Sequence, residues 1–182
     1  VLAYTYGANG RTVAADSPLV VPFYKEPHKD SPDYGTIFEE KLRSEVAKAK
    51  AAADVVLVSV HWGYEDTQKV NEEQKKVAQI LCDAGADIIL GQHPHVLQPI
   101  EYIKSTDGEH TAFCAYSLGN FLGMQGYDYN ALSGILTFDI RVGLGGVAVE
   151  NVLLTPTVSY FNKNFRDNEI YLLSDFTDEL CR

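Results

Sequence analysis

Little in this chain invites cross-linking. Its three cysteines, Cys82, Cys114 and Cys181, are odd in number and show no CxxC spacing. That pattern fits neither a disulfide framework nor a zinc knuckle. Cys82 falls on an apolar helical face and Cys114 in an apolar strand, where small buried hydrophobes are the expectation. Long apolar runs are also absent: no stretch approaches the length of a membrane-spanning helix, and no signal peptide is visible. Basic residues are scarce, with 15 Lys and Arg against 25 Asp and Glu and a formal net charge of −10. Nucleic-acid binders present a basic face, so a phosphate-backbone partner is disfavoured. An acidic chain can still hold a cation, and local arrangement decides that.

What remains is ordinary for a soluble globular protein: 46% hydrophobic and 22% charged residues over 182 positions. That length fits one domain, or a large part of one, with a real core. The chain opens inside what reads as a strand, "VLAYTY", without an initiator methionine or polar lead-in. The natural protein is therefore expected to start earlier. The strand ends in Gly-Ala-Asn-Gly, a loop signal. Four prolines between Arg11 and Pro32 predict an irregular surface segment.

A helix is expected next, with Thr36 and Glu39 as a capping box and Phe38, Leu42, Val46, Ala49 and Ala53 at helical spacing. "DVVLVSV" (Asp54 to Val60) is a β-branched run, the pattern of a strand buried on both faces. Asn71 and Gln74 predict the start of a second helix, which buries Val77, Ile80, Leu81 and Ala84 and stops at Gly85. "DIIL" then reads as a second strand. Strand, helix, strand is a βαβ unit whose strands lie parallel and close. "AFCAYSLGNF" predicts a further strand, delivering Ser117 and Asn120 to the same region. From Ala131 the pattern alternates around a "GLGG" turn, an antiparallel hairpin, before a polar stretch from Asn162 with a short helix-like end. The expected architecture is mixed α/β with a second β layer.

His61 follows one parallel strand directly; His93 and His95 follow the next. All three imidazoles are thus delivered to the carboxyl edge of the sheet, where open α/β sheets place their sites. Imidazole is a common ligand for Zn, Mn and Fe, and Pro94 limits how far the H-x-H loop can turn away. The alternative is a set of hydrogen-bonded turn histidines; two clusters after consecutive strands favour metal. Trp62 could wall a pocket, stack on a substrate or simply pack. Glu65 could fix a histidine tautomer, act as a general base or be a solvated loop carboxylate. Asn120 could donate an oxygen to the site or cap a turn. Asn9, in the loop after the first strand, is a further possible pocket residue. His28 and His110 lie in polar loops and are expected to be exposed, and Ser117 lacks the G-x-S-x-G elbow of a nucleophile. No Asp stands beside the three histidines at the strand ends. The site is therefore either mononuclear and histidine-rich, such as an open His₃ zinc centre, or completed by carboxylates from sequence elsewhere.

"ADVVLVSVHWGYED", "DAGADIILGQHPHVLQPIEYI" and "AYSLGNFL", in that order and spacing, resemble the capsule-synthesis CapA family associated with poly-γ-glutamate biosynthesis. "AYTYGANG" resembles the segment that the family carries before its variable loop. The resemblance spans about Leu2 to Val142. It implies a calcineurin-like metallophosphatase fold, two packed β-sheets flanked by helices, of which residues 1–182 form the C-terminal portion of a single domain. It also implies that His61, His93 and His95 are ligands of a divalent metal (Mn, Fe, Zn or Mg); His61, Glu65 and His93 are the expected catalytic residues. The remaining carboxylate ligands would come from an N-terminal part not included here, so this chain alone is expected to be inactive. The implied role is a metal-dependent phosphoesterase-like step on a phosphoester or anionic polymer, alongside other capsule-synthesis membrane proteins. The implied place is the extracellular face of the membrane, reached through an N-terminal anchor. The competing reading is a non-catalytic component that holds or passes the polymer.

Overall fold

The computed structural model describes residues 1–8, 21–125, 127–162, 168–177 and 179. Its larger sheet contains five strands: β1 (Leu2–Thr5), β2 (Leu57–His61), β3 (Ile88–Gln92), β4 (Ile100–Lys104) and β5 (Thr111–Ala115), in the order β1-β2-β3-β5-β4. Neighbours are parallel except β4, which runs antiparallel to β5. Helices α1 (Glu39–Ala52) and α2 (Glu72–Asp83) provide the crossovers. A second sheet joins β6 (Leu132–Gly143), β7 (Gly146–Tyr160) and β8 (Glu169–Leu172), all antiparallel. This is the mixed α/β architecture with a second β layer that the sequence implies.

Side-chain alternation on β2 shows how the layers form. Val58 and Val60 are fully buried and, with Val56, join Leu42 and Val46 of α1 and Val77, Ala78 and Leu81 of α2 in one core. Leu57 and Leu90 point to the opposite face, where Phe113, Ala115, Leu136, Phe138 and Val149 form a smaller core between the sheets. The Phe113 and Phe138 rings meet at 5.5 Å across that interface. The strand is therefore completely buried on its helix face and half-buried on the other, rather than dry on both. It also begins at Leu57, three residues later than expected. Asp87 takes up the missing turns: its carboxylate accepts from the Val56 N–H at 2.7 Å and from Lys50 Nζ at 2.8 Å.

The Asn71–Gln74 capping box forms as expected, each side chain bonded to the other's main-chain N–H. The Thr36–Glu39 box does not. Thr36 is held in a turn, with its N–H on Asp33 O and its carbonyl on the Glu26 N–H, and neighbouring Ile37 bridges to Lys25. Glu39 instead pairs with Arg43 one turn on, and α1 starts without a side-chain cap. Strand β4 is an addition to the expected elements: "IEYIK" carries charge at two of five positions and is mostly exposed, so it lacks the apolar run of β2 and β3. The strand expected to reach Phe121 stops at Ala115, and the helix-like end is the single 3₁₀ turn Leu173–Asp175 after β8. Cys82 and Cys114 are buried and unpaired; Cys181 lies outside the described residues.

Gly91 in β3 has no room for a side chain. A Cβ there would sit 2.1 Å from Tyr116 O and 2.3 Å from Trp62 Nε1, the two atoms of a buried hydrogen bond 3.0 Å long. Gly91→Ala must break that bond or spread the strands. The expected cost is about 2 kcal/mol, measured as a loss of denaturant midpoint at constant slope.

Candidate metal centre

Strand register sets up the site. His61 pairs with Gln92 across β2–β3, so the next residue of β3's loop, His93, emerges beside it. Thr5 pairs with His61 across β1–β2, which places Tyr6 on the other side. The rings form a cluster: Tyr6 stacks on His61 at 5.6 Å and lies 5.0 Å from His93, His61 lies 4.4 Å from His93, and His93 lies 5.9 Å from His95. The three histidines thus share one edge of the sheet. Ligand atoms of Glu65, His93 and His95 all fall within 4.8 Å of one another, the one such group among the described residues.

The H-P-H loop is held in a costly shape. His93 has φ of 101° and His95 has φ of 60°, in the left-handed region that non-glycine residues avoid. Each such residue costs on the order of 1–3 kcal/mol and persists only where its surroundings demand it. His93 is 8% exposed, and its Nδ1 is buried with no hydrogen-bond partner. His93 thus combines an unpartnered buried nitrogen with a place beside a second imidazole and a carboxylate, a setting that fits a divalent cation. Two nitrogens and one carboxylate oxygen form a donor set suited to Zn, Mn or Fe.

His95 is oriented from behind. Its Nδ1 lies 2.7 Å from Asn120 Oδ1. Asn120 Nδ2 donates to Gln125 Oε1 and to the Asn130 carbonyl, which can only accept, so the amide oxygen must face His95. The imidazole therefore carries its proton on Nδ1 and leaves Nε2 as a lone-pair donor. Asn120 acts on the site through His95: its amide oxygen goes to the ring and its Nδ2 to the segment that follows.

The other candidates are placed as follows. Glu65, exposed on the loop after β2, brings the carboxylate that the strand ends lack. His61 stands beside the trio, next to His93. Trp62 is fully buried: it stacks on Tyr116 at 5.4 Å and donates to Tyr116 O. It supports the site as packing and offers no surface to a ligand. Asn9 lies outside the described residues. His28 is exposed, but His110 is half-buried and donates from Nε2 to Ala86 O at 2.8 Å, because the turn before β5 folds back onto β3. Ser117 is buried, with its hydroxyl on the Gly119 N–H. Sequence reading missed Tyr6 and Asn130; a tyrosine just past the end of β1 was the available signal for the first.

Burial, reinforced by His61 and His95, lowers the His93 pKa to about 4. Burial and His95 also lower that of His61, against the pull of Glu65. Both rings are neutral at pH 7, the state that binds cations. The unfolded imidazole titrates near 6.5, so below that pH the unfolded chain takes up a proton that folded His93 refuses. Stability of the cation-free chain is therefore complete above about pH 6.5 and falls toward pH 4, by at most about 3 kcal/mol. Urea unfolding at pH 7 and pH 4.5, with His93→Ala losing part of the difference, checks this.

Comparison with known proteins follows the same segments. The family model described as "Bacterial capsule synthesis protein PGA_cap" matches residues 1–125. "PGA biosynthesis protein CapA" of Bacillus subtilis (strain 168) is 41% identical over 96 residues, covering 53% of this chain and 24% of that protein. "Capsule biosynthesis protein CapA" of Bacillus anthracis is 36% identical over 117 residues, 62% of this chain and 27% of that protein. The matches thus span about a quarter of each curated relative. With 125 of 182 residues matched, Glu65 and all three clustered histidines among them, this chain belongs to the bacterial capsule synthesis protein PGA_cap family.

Proposed function

We propose that the protein serves bacterial capsule synthesis through a divalent-cation site made by Glu65, His93 and His95, with His61 beside them, and that the site performs metal-dependent phosphoesterase-like hydrolysis. The capsule role is supported by family membership and by the names of both relatives. The observation that carries the cation site is the H-P-H loop: two histidines held at positive φ, one with a buried, unpartnered nitrogen, converging on a carboxylate.

A bound cation would supply a Lewis acid and acidify a coordinated water. The chain's own residues have separate parts. Glu65, His93 and His95 hold the ion; Asn120 fixes the tautomer and ring plane of His95. His61, neutral and packed against both Tyr6 and His93, is placed to ligate or to accept a proton. The substrate would be a phosphoester or an anionic polymer, met at the outer face of the membrane beside other capsule-synthesis proteins. A chain of net charge −10 repels polyanions in general, so such contact would be local and cation-mediated.

The test is hydrolysis of generic phosphomonoesters, phosphodiesters and γ-glutamyl substrates by the complete protein with Mn²⁺, Zn²⁺, Fe²⁺ or Mg²⁺. Cation-dependent turnover lost on His95→Ala is the expected result. Cation-dependent retention of poly-γ-glutamate without turnover of any substrate would reassign the site to holding the polymer.

A further inference from the structure

Asn130 belongs to the short helix α3 (Asp128–Ala131), beyond the residues that the family model matches. It is 2% exposed. Its Nδ2 donates to Asp66 Oδ1 at 2.7 Å and to the main-chain oxygen of His95 at 3.1 Å. Both partners only accept, so the amide has a single possible orientation. That orientation leaves Oδ1 buried with no hydrogen-bond partner, a condition buried polar groups rarely tolerate. The residue's own carbonyl receives Asn120 Nδ2, the amide that fixes the His95 ring.

The two residues that Asn130 grips are themselves unusual. Asp66 has φ of 59° and His95 has φ of 60°. Both lie in the left-handed region, which a residue with a Cβ adopts at a cost that its surroundings must offset. Asp66 directly follows Glu65, and its N–H donates to Pro94 O at 2.9 Å. The Glu65–Asp66 turn and the H-P-H loop are thus joined twice, once by that main-chain bond and once through the Asn130 amide. Asn130 has no ionisable or nucleophilic group, and its Nδ2 is used up in bridging.

We propose that Asn130 is a positioning residue for the cation site: it clamps the Glu65 turn to the His93–His95 loop so that ligand atoms from two loops converge. The inference rests on the cation reading above, and it assigns a site function to the region that follows the matched segment.

The experiment titrates Co²⁺ into the 182-residue chain and its variants, following visible absorption, with thermal unfolding measured separately without cation. Asp66→Ala removes one acceptor at an exposed position and leaves the core intact. It should lower Co²⁺ affinity about tenfold and alter the Co²⁺ absorption bands. Asp66→Asn keeps an acceptor oxygen and should stay within about twofold of the parent. Asn130→Ala should lose about tenfold or more, and adding Asp66→Ala to it should cost little further, as for groups acting through one contact. An Asn130→Ala chain that folds and binds Co²⁺ with parental affinity and spectrum overturns the proposal. So does an Asp66→Asn loss equal to that of Asp66→Ala, since charge alone would then explain both. Should Asn130→Ala fail to fold, the Asp66 pair decides. A parent chain that binds no Co²⁺ removes the cation reading and the clamp together, whereas parental binding shared by all variants removes the clamp alone.

Discussion

His93→Ala is expected to lower divalent-cation affinity by more than about 100-fold, because even partners one layer behind a ligand typically cost 10–100-fold. His93 contributes a buried nitrogen with no hydrogen-bond partner, and its ring meets those of both His61 and His95. Its removal therefore opens the centre of the cluster. A second comparison isolates the backbone. His93→Gly loses the same ring but accepts φ of 101° without strain. The glycine variant should be more stable than the alanine variant by about 1 kcal/mol, the reverse of the usual order. Equal stability would mean that the loop relaxes once the imidazole is gone and that its surroundings do not impose the conformation. Calorimetric titration for affinity and urea unfolding for stability read the two effects independently.

The largest expected loss of stability lies far from the site. Asp87 is 2% exposed and binds both the Lys50 ammonium and the Val56 main-chain N–H. Its own N–H and that of Ile88 donate back to Val56 O. One carboxylate thus fixes the end of α1 against the starts of β2 and β3. Asp87→Ala leaves the buried Val56 N–H unsatisfied and the ammonium without its anion, at an expected cost of about 4 kcal/mol. Asp87→Asn keeps an oxygen for Val56 and should cost less than half of that. If both variants lose equally, the ion pair rather than the main-chain anchor carries the stabilisation. Cation affinity should be preserved in both while they remain folded.

The βαβ unit was legible because its signals were local and agreed with each other. "NEEQ" capped α2, Gly85 ended it, and β-branched residues marked β2 and β3. From strand direction alone, His61, His93 and His95 could be assigned to one edge. The role of Glu65 as a third donor was not legible, since it depends on how the loop after β2 turns at Gly63 and Asp66, both at positive φ. Asn130 was invisible for a related reason: its partners are 64 and 35 residues away in sequence. Trp62 read as a pocket candidate because it adjoins His61, but alternation along the strand sends it to the core. Thr36 and Glu39 had the spacing of a cap, yet each had a competing partner that the sequence did not advertise.

The loop conformation, the orphaned nitrogen and the nearby carboxylate all point to one occupant. A crystal of the chain soaked in Zn²⁺ and measured at the zinc absorption edge asks the question directly. The predicted result is an anomalous peak within bonding distance of Glu65, His93 and His95, absent from the His93→Ala crystal. A peak bound elsewhere, or none at a saturating concentration with the loop unchanged, would contradict the account.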